Sequence, residues 1–203
     1  MKRLISAAVI LLLSTAVIFA QTDDGTTQEE EDNIEFVYTK NYAGDQFIRI
    51  ALGPSFPMNF PDLITSLKGN GQLYAGGMGS LGYHYFLTSL ISVGGEIGFG
   101  FNLTKGSNTL NYIPVLMEAT LHPTIHNFEF PITLGIGLGW ETYSKYTYFP
   151  APMFNPQVGV HYRINSSWSL GMDFGYLYMP EWTSNGYSAA HMITACVAAK
   201  YYF

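Results

Sequence analysis

From Gln46 onward, apolar and non-apolar residues alternate through eight segments separated by turn-rich stretches. A period of two places successive side chains on opposite faces of a strand. The third segment, 91–103, is the clearest: Ile91, Val93, Gly95, Ile97, Phe99, Phe101 and Leu103 alternate with Ser92, Gly94, Glu96, Gly98, Gly100 and Asn102. The first, 46–58, sets Ile48, Ile50, Leu52 and Phe56 against Arg49, Ala51, Gly53 and Ser55. The second, 71–86, sets Leu73, Ala75, Leu81, Tyr83 and Tyr85 against Tyr74, Met78, Ser80 and His84.

The same alternation predicts a fourth strand over 110–122, with Leu116, Glu118 and His122 on the non-apolar face. A fifth runs from Phe128 to Glu141, with Glu129 and Gly135, Gly137 and Gly139 on that face. The sixth sets Val158, Val160, Tyr162 and Ile164 against Gln157, Gly159, His161 and Arg163. The seventh, 168–178, turns Asp173 and Leu177 away from Trp168, Leu170, Met172, Phe174 and Tyr176. The eighth, 191–203, alternates Ile193, Val197, Tyr201 and Phe203 with Met192, Cys196, Lys200 and Tyr202. Short turns are expected near 87–90 and 165–167, and longer connections at 59–70, 104–109, 144–153 and 180–188. The turn at 122–127 is the weakest fit to this alternation of lengths.

Each segment is long enough to cross a bilayer, for which about 9–11 tilted residues suffice. Placing Arg or Lys on a lipid face near mid-membrane costs roughly 2–4 kcal/mol. Arg49, Glu96, Glu118, Arg163, Asp173 and Lys200 all fall on the non-apolar face, so turning that face inward avoids every such penalty. A soluble eight-stranded barrel would have the reverse pattern. The fold class is therefore all-β, an eight-stranded antiparallel up-and-down transmembrane β-barrel over 46–203. Tyr83, Tyr85, Phe128, Tyr162, Trp168, Tyr201 and Phe203 gather at one set of strand ends, as an interfacial girdle would.

Composition agrees. Charged residues make up 12% of the chain against 48% hydrophobic ones, about half the charged share of soluble domains. One stretch alone has the length and apolarity of a helical span, and it follows Lys2 and Arg3 and ends near Ala20. Residues 1–20 read as a secretory signal peptide. Seven acids crowd Asp23 to Glu35, and 21–45 reads as an acidic, disordered periplasmic segment. From Gln46 on, six Lys or Arg face seven Asp or Glu, so the barrel is near neutral and carries no nucleic-acid footprint. The single cysteine, Cys196, excludes an intrachain disulfide.

The ending, Lys200-Tyr-Tyr-Phe203, resembles the sorting signal of bacterial outer-membrane proteins, with Tyr201 and Phe203 as its aromatic positions. It implies the outer membrane of a diderm bacterium, with membrane lipid and the barrel-assembly machinery as partners. The stretches YAGDQFIRIALGPSFP (42–57), PVLMEATLHP with FEFPITLGIGLGWETY (114–143) and NPQVGVHYRINSSWSLGMDFGYLYM (155–179) resemble strands of the OmpW-type small outer-membrane barrels, within the broader OmpA- and OmpX-like group. That resemblance implies a narrow, apolar-lined passage for small hydrophobic solutes, with release sideways into the membrane; a monomer is expected.

Candidate site residues sort by depth. Tyr74, Met78, Leu116, Leu177, Met179 and Met192 form an expected apolar pocket in the outer lumen. Arg49, Glu96, Glu118, His161, Arg163, Asp173 and Lys200 form an expected charged plug beneath it. Glu96 and Glu118 need Arg49, Arg163 or Lys200 beside them to avoid an unpaired buried charge. A plug that only rigidifies the barrel and a plug that gates a solute are both open readings. So is a structural or adhesin-like barrel without transport, since Tyr146, Tyr148, Phe149 and Trp182 crowd the outer connections.

Other signals point nowhere firm. Gly77-Met-Gly79-Ser-Leu-Gly82 matches a dinucleotide fingerprint but lies inside a strand with no helix after it. His122 and His126 flank a turn rather than sharing a helix face, so no metal and no cofactor is expected. Ser188, Glu181 and His191 are the residues a lipid-modifying barrel enzyme would need near the outer rim, but no second segment supplies a nucleophile–base pair; the chain is read as a non-enzyme. Substituting Glu118→Gln separates gating from rigidity: solute uptake is expected to change with thermal stability intact only if the plug gates.

Overall fold

The structure, a computed structural model, describes residues 41–58, 73–104, 108–183 and 186–203. The expected signal peptide (1–20), most of the acidic segment (21–40) and the connection at 59–72 lie outside the described residues.

Eight long strands are present: β1 (Gln46–Pro57), β2 (Leu73–Phe86), β3 (Ile91–Thr104), β4 (Thr109–Leu121), β5 (Ile132–Tyr143), β6 (Tyr146–Arg163), β7 (Trp168–Thr183) and β8 (Gly186–Tyr202). Each pairs antiparallel with its sequence neighbour, and β1 pairs with β8 from Phe47↔Tyr202 to Pro57↔Met192. The pairing of β1 with β8 closes the ring.

Burial alternates along every strand, and the apolar set is the exposed one: Met117 is 76% and Leu52 71% exposed. Arg49, Glu96, Glu118, Arg163, Asp173 and Lys200 are each at most 7% exposed. That inside-out arrangement is the surface a bilayer core solvates, with the charges gathered in the lumen. The girdle aromatics are all exposed on the end where β1 begins and β8 finishes, called the near end below. There Trp168 packs on Tyr201 with ring centroids 4.9 Å apart, and Phe128 meets Tyr162 at 5.3 Å.

Four expectations need correction. The sixth strand begins at Tyr146, not near Gln157, and replaces the long connection over 144–153 with a two-residue turn at Ser144 and Lys145. Prolines 150 and 152, inside the expected connection, lie in extended backbone, and Pro152 pairs with Leu138 of β5 without needing its N–H. β7 likewise runs through Pro180, and β8 starts at Gly186 rather than His191.

The fifth strand is broken near its start. Phe128–Glu129 forms a short ladder with Tyr162 and His161 of β6, and the chain re-enters the sheet only at Ile132. Pro131 has no N–H to offer, and its carbonyl accepts from Gly159 N–H at 2.9 Å. The awkward turn at 122–127 resolves into a small hairpin, Thr124–Ile125 against Phe128–Glu129, with His126 at a positive φ of 54°.

Tyr74 faces outward, 48% exposed, not into the lumen. Pairing with β3 shifts register between Leu73↔Thr104 and Gly76↔Asn102, and one extra residue reverses the phase beyond it. Only glycine fits at the shift, because a Cβ on Gly76 would sit 1.7 Å from the Phe101 carbonyl oxygen.

Ile136, 56% exposed at the middle of β5, is a lipid-facing position. Ile136→Arg is expected to destabilise the barrel by about 2–4 kcal/mol in denaturant unfolding from lipid vesicles. A similar loss in detergent-free buffer only, with none in vesicles, would contradict the orientation.

Candidate functional site in the barrel lumen

The lumen is filled in two tiers. The charged tier occupies the middle and the near end, and Arg49 organises its middle. Its Nε and Nη2 donate to Asp173 Oδ2 at 2.9 and 2.7 Å, and Nη2 also donates to Gln157 Oε1 at 2.9 Å. Nη1 donates to Glu96, which also accepts from the Ser80 hydroxyl at 2.9 Å. The other Asp173 oxygen meets Nε2 of His161 at 2.8 Å. Glu118 is not held by a lysine or arginine side chain, as expected from sequence, but lies 3.2 Å from His84 Nε2 and accepts from Gln157 Nε2 at 3.4 Å.

A second cluster closes the near end around Glu129. Lys200 Nζ and the Tyr202 hydroxyl (2.9 Å) both donate to its carboxylate, and His122 Nδ1 lies 2.8 Å from Oε1. Arg163 stands 4.0 Å from Glu129 and 3.4 Å above the Tyr202 ring, while its Nη2 donates to the Ser166 carbonyl at 3.2 Å. Phe47 stacks flat on His84 at 4.6 Å and packs with Phe86 and Tyr202, so apolar rings divide the two charge clusters. His122 lies in the turn beyond β4, outside the spanning strands, and burial pushes its imidazole down to about 4. A neutral ring donates from Nδ1 to Glu129 and accepts from the Ser92 hydroxyl at Nε2, 2.8 Å away.

Three cations (Arg49, Arg163, Lys200) thus face four acids (Glu96, Glu118, Glu129, Asp173), and three imidazoles (His84, His122, His161) sit against carboxylates. The space left among Arg49, His84, Glu118, Gln157, Asp173 and Lys200 is about 10 Å³. That is room for about one water molecule and no more.

Toward the far end lies the apolar tier: Leu110, Tyr112, Leu116, Ala151, Met153, Leu177, Met179 and Met192, with Met78 also buried. Of the expected pocket residues, five are buried inside the barrel and Tyr74 is not. The expected open cavity is absent at this level: Leu177, Met179 and Met192 have no exposed surface. The reason is volume. An eight-stranded ring is just wide enough for its side chains, and the inward glycines are taken up by large neighbours. A Cβ on Gly100 would lie 2.2 Å from the Tyr112 ring, and one on Gly139 would lie 2.5 Å from Met153 Cε. The Tyr112 hydroxyl donates to Ser55 Oγ at 2.9 Å, which anchors the ring across the lumen.

The ladders lapse over two residues beside Pro54 (β1–β8) and Pro114 (β3–β4), and over the longest stretch between β6 and β7. The β6–β7 ladder runs from Arg163↔Ser169 to Gln157↔Gly175, skips two residues, and shows only Phe154↔Tyr178 beyond. A strand residue points its N–H and C=O to one side, alternating along the chain. Pro152 and Pro156 keep register with β5 (Leu138↔Pro152, Leu134↔Pro156), so the side lacking a donor faces β7. Pro180 keeps register with β8 (Ala189↔Pro180), so its missing donor faces β6. Continuing the Phe154↔Tyr178 register brings Pro152 opposite Pro180. Trp182 N–H, above the lapse, donates to the Tyr148 hydroxyl instead, at 3.3 Å.

Elsewhere, His122 is buried and His126 exposed, so the two do not converge. Ser188 donates to Glu181 at 3.3 Å on the lumen side, whereas His191 lies on the opposite face of β8 with Nδ1 2.5 Å from the Tyr176 hydroxyl. Sequence reasoning placed Glu129, His84 and Gln157 on the inward face without assigning them roles. The pairing that gives them roles crosses the lumen between strands distant in the chain.

A protein-family model matches residues 27–201, which take in all of the barrel but its last residues. The chain belongs to that family. A protein of Treponema pallidum (strain Nichols), described as uncharacterized, is 32% identical over 117 residues, covering 57% of this chain. The match spans about half of that relative, 52% of its length. Among solved structures, Neisserial surface protein A superposes with a TM-score of 0.60 at 12% identity, over 78% of this chain and 98% of its own. The outer-membrane protein OprG of Pseudomonas aeruginosa gives 0.53 at 13% identity, over 80% and 97%. At these identities the likeness is one of fold: the small eight-stranded outer-membrane barrel.

Replacing Arg49 by Met strands Glu96 and Asp173 in the lumen and is expected to cost about 3–5 kcal/mol of stability. Adding Glu96→Gln and Asp173→Asn to that variant should restore most of the loss. Tryptophan fluorescence during urea unfolding in micelles reads both, and an unrecovered triple variant would refute the pairing scheme.

Proposed function

We propose that the protein is an outer-membrane barrel of the OmpW type that passes small apolar solutes sideways into the membrane, rather than conducting ions or water along its axis. The observation that carries this reading is the β6–β7 seam, where prolines 152, 156 and 180 remove ladder donors beside the apolar tier. In this reading the far end faces outward, and the near end, with both strand termini, faces the periplasm.

The physics favours a lateral exit. Met153, Met179, Met192 and Met78 are flexible side chains that part without breaking polar bonds. Below them the Arg49 and Glu129 clusters would have to be pulled apart and left unpaired for an axial passage. A solute entering the apolar tier therefore meets a charged floor and a weakened wall. Asn155 is buried at that level with neither side-chain amide atom hydrogen-bonded, and it offers a contact for a solute's single polar end.

A second reading, attachment to a surface, is favoured by one observation: Tyr146, Phe149 and Trp182 are 80%, 52% and 59% exposed on the far ends of the long strands. In that case replacing Tyr146 and Trp182 with Ser lowers attachment and leaves uptake alone.

The test is a reversible staple. Cysteines at positions 152 and 180 (Pro152→Cys, Pro180→Cys) are expected to crosslink across the seam under oxidation. Entry of the apolar dye N-phenyl-1-naphthylamine into cells should fall severalfold and recover on reduction, and purified protein in planar bilayers should show no steady ion conductance. Uptake indifferent to the staple would overturn the lateral route.

A further inference from the structure

The β6–β7 lapse has an unpaired polar group on its inner side and an apolar hollow on its outer side. Between Gln157↔Gly175 and Phe154↔Tyr178 it leaves Pro156 of β6 and Tyr176 of β7 out of the ladder. Asn155 faces the lumen at that level, 1% exposed, and neither its Oδ1 nor its Nδ2 is hydrogen-bonded. Glu96 and His161 also leave one buried atom each without a partner, but both are bonded through their other atom. Asn155 is bonded through neither. A buried amide with both atoms unmade is destabilising until something supplies a donor and an acceptor.

The neighbours of that amide have little bulk. Gly135 of β5 pairs with Asn155 on one side, and Gly175 of β7 stands on the other. A Cβ on Gly175 would lie 3.2 Å from Asn155 Oδ1 and 2.7 Å from Thr194 Oγ1, so the amide oxygen is aimed at this glycine. Met153 and Leu177 of the apolar tier follow toward the far end, and Gln157 toward the near end. Outside the wall, Leu134, Pro156, Val158, Phe174, Tyr176 and Ile193 line an open apolar groove of about 710 Å³. It crosses the seam at the two residues the ladder omits, and its volume is that of a site for a small organic ligand.

We propose that the lapse is a binding site for a single-chain amphiphile with an uncharged hydrogen-bonding end, a fatty alcohol or fatty amide. The polar end bonds to Asn155 inside the wall, and the hydrocarbon chain lies in the groove outside. The inference rests on the lateral route and names the class of solute that takes it. Asn155 presents a donor and an acceptor side by side, which a hydroxyl or a primary amide answers with two bonds. A charged end is excluded, because entry through the methionine-rich tier strips it of water. A carboxylate is further repelled by Glu118, whose Oε1 lies 3.3 Å from the point where a Gly135 Cβ would stand. A plain hydrocarbon leaves both Asn155 atoms unpaired.

The probe is dodecanol carrying a photoreactive diazirine at mid-chain, added to the full-length protein folded in phosphatidylcholine vesicles. Mass spectrometry of the irradiated protein is expected to find adducts concentrated at the seam, on Pro156, Val158, Phe174 and Tyr176. Dodecanamide should compete for the label, and dodecane should not. Asn155→Leu, similar in size and without the amide, should weaken seam labelling about tenfold, the worth of two neutral hydrogen bonds. Gly175→Ala, which fills the space before Oδ1, should weaken it as well, and heat-modifiable migration in gels confirms that each variant is folded. Label spread evenly over the lipid-facing belt, dodecane competing as well as dodecanamide, or an Asn155→Leu protein labelled like the parent overturns the site. The first of these outcomes means contact with bulk lipid only, and the last means that water alone satisfies Asn155. The cysteine staple reads the route separately: dye entry that the staple stops, with label spread evenly, leaves the lateral route standing and removes the site. Dye entry that ignores the staple removes the route, and the Asn155→Leu labelling then decides the site by itself.

Discussion

Closing eight strands into a ring with the apolar face outward leaves the polar side chains one place to go, a lumen hardly wider than the side chains themselves. Little water fits in that space, so the charges of the middle and near end pair across the barrel. Arg49 holds Asp173, Glu96 and Gln157 at once, and Glu129 gathers Lys200, Tyr202 and His122. These contacts connect strands far apart in sequence, and they replace the apolar core that a soluble domain of this size would have. The same narrowness explains why Tyr112 lies against Gly100 and why the apolar tier holds no cavity.

Against that tightly packed interior, the far half of the β6–β7 seam stands out. Ladder hydrogen bonds are what a barrel wall is made of, and inside a membrane nothing else replaces them cheaply. Prolines 152, 156 and 180 omit donors on facing edges, and they do so beside the part of the lumen that is apolar and rich in methionine. Where the charged tier begins, from Gln157 down, the ladder is continuous to Arg163. Along this seam, weak wall and soft filling coincide, as do continuous ladder and charged filling.

Much of the fold was legible because period-two alternation survives translation into a strand without help from the rest of the chain. The face of Arg49, Glu96 and Asp173 followed from parity and from the cost of charge in lipid. Strand ends were less legible, since proline and glycine near Tyr146–Pro156 and Pro180 resemble loop, and only the identity of the neighbouring strand decides whether a missing N–H matters. Tyr74 was misplaced for a related reason: a single extra residue at Gly76 reverses parity, and nothing local marks it.

The candidate site shows the same division. Its residue types and inward facing were readable, but Glu118 meeting His84 instead of a lysine or arginine, and Lys200 meeting Glu129, were not. By itself the sequence determined a closed, outward-apolar barrel with its charges inside, because alternation and lipid energetics act residue by residue. The tertiary structure alone decided which charges pair, that the apolar tier is filled, and where the wall is weak. Those outcomes depend on register around a closed ring and on volume across it, and both are properties of all eight strands together.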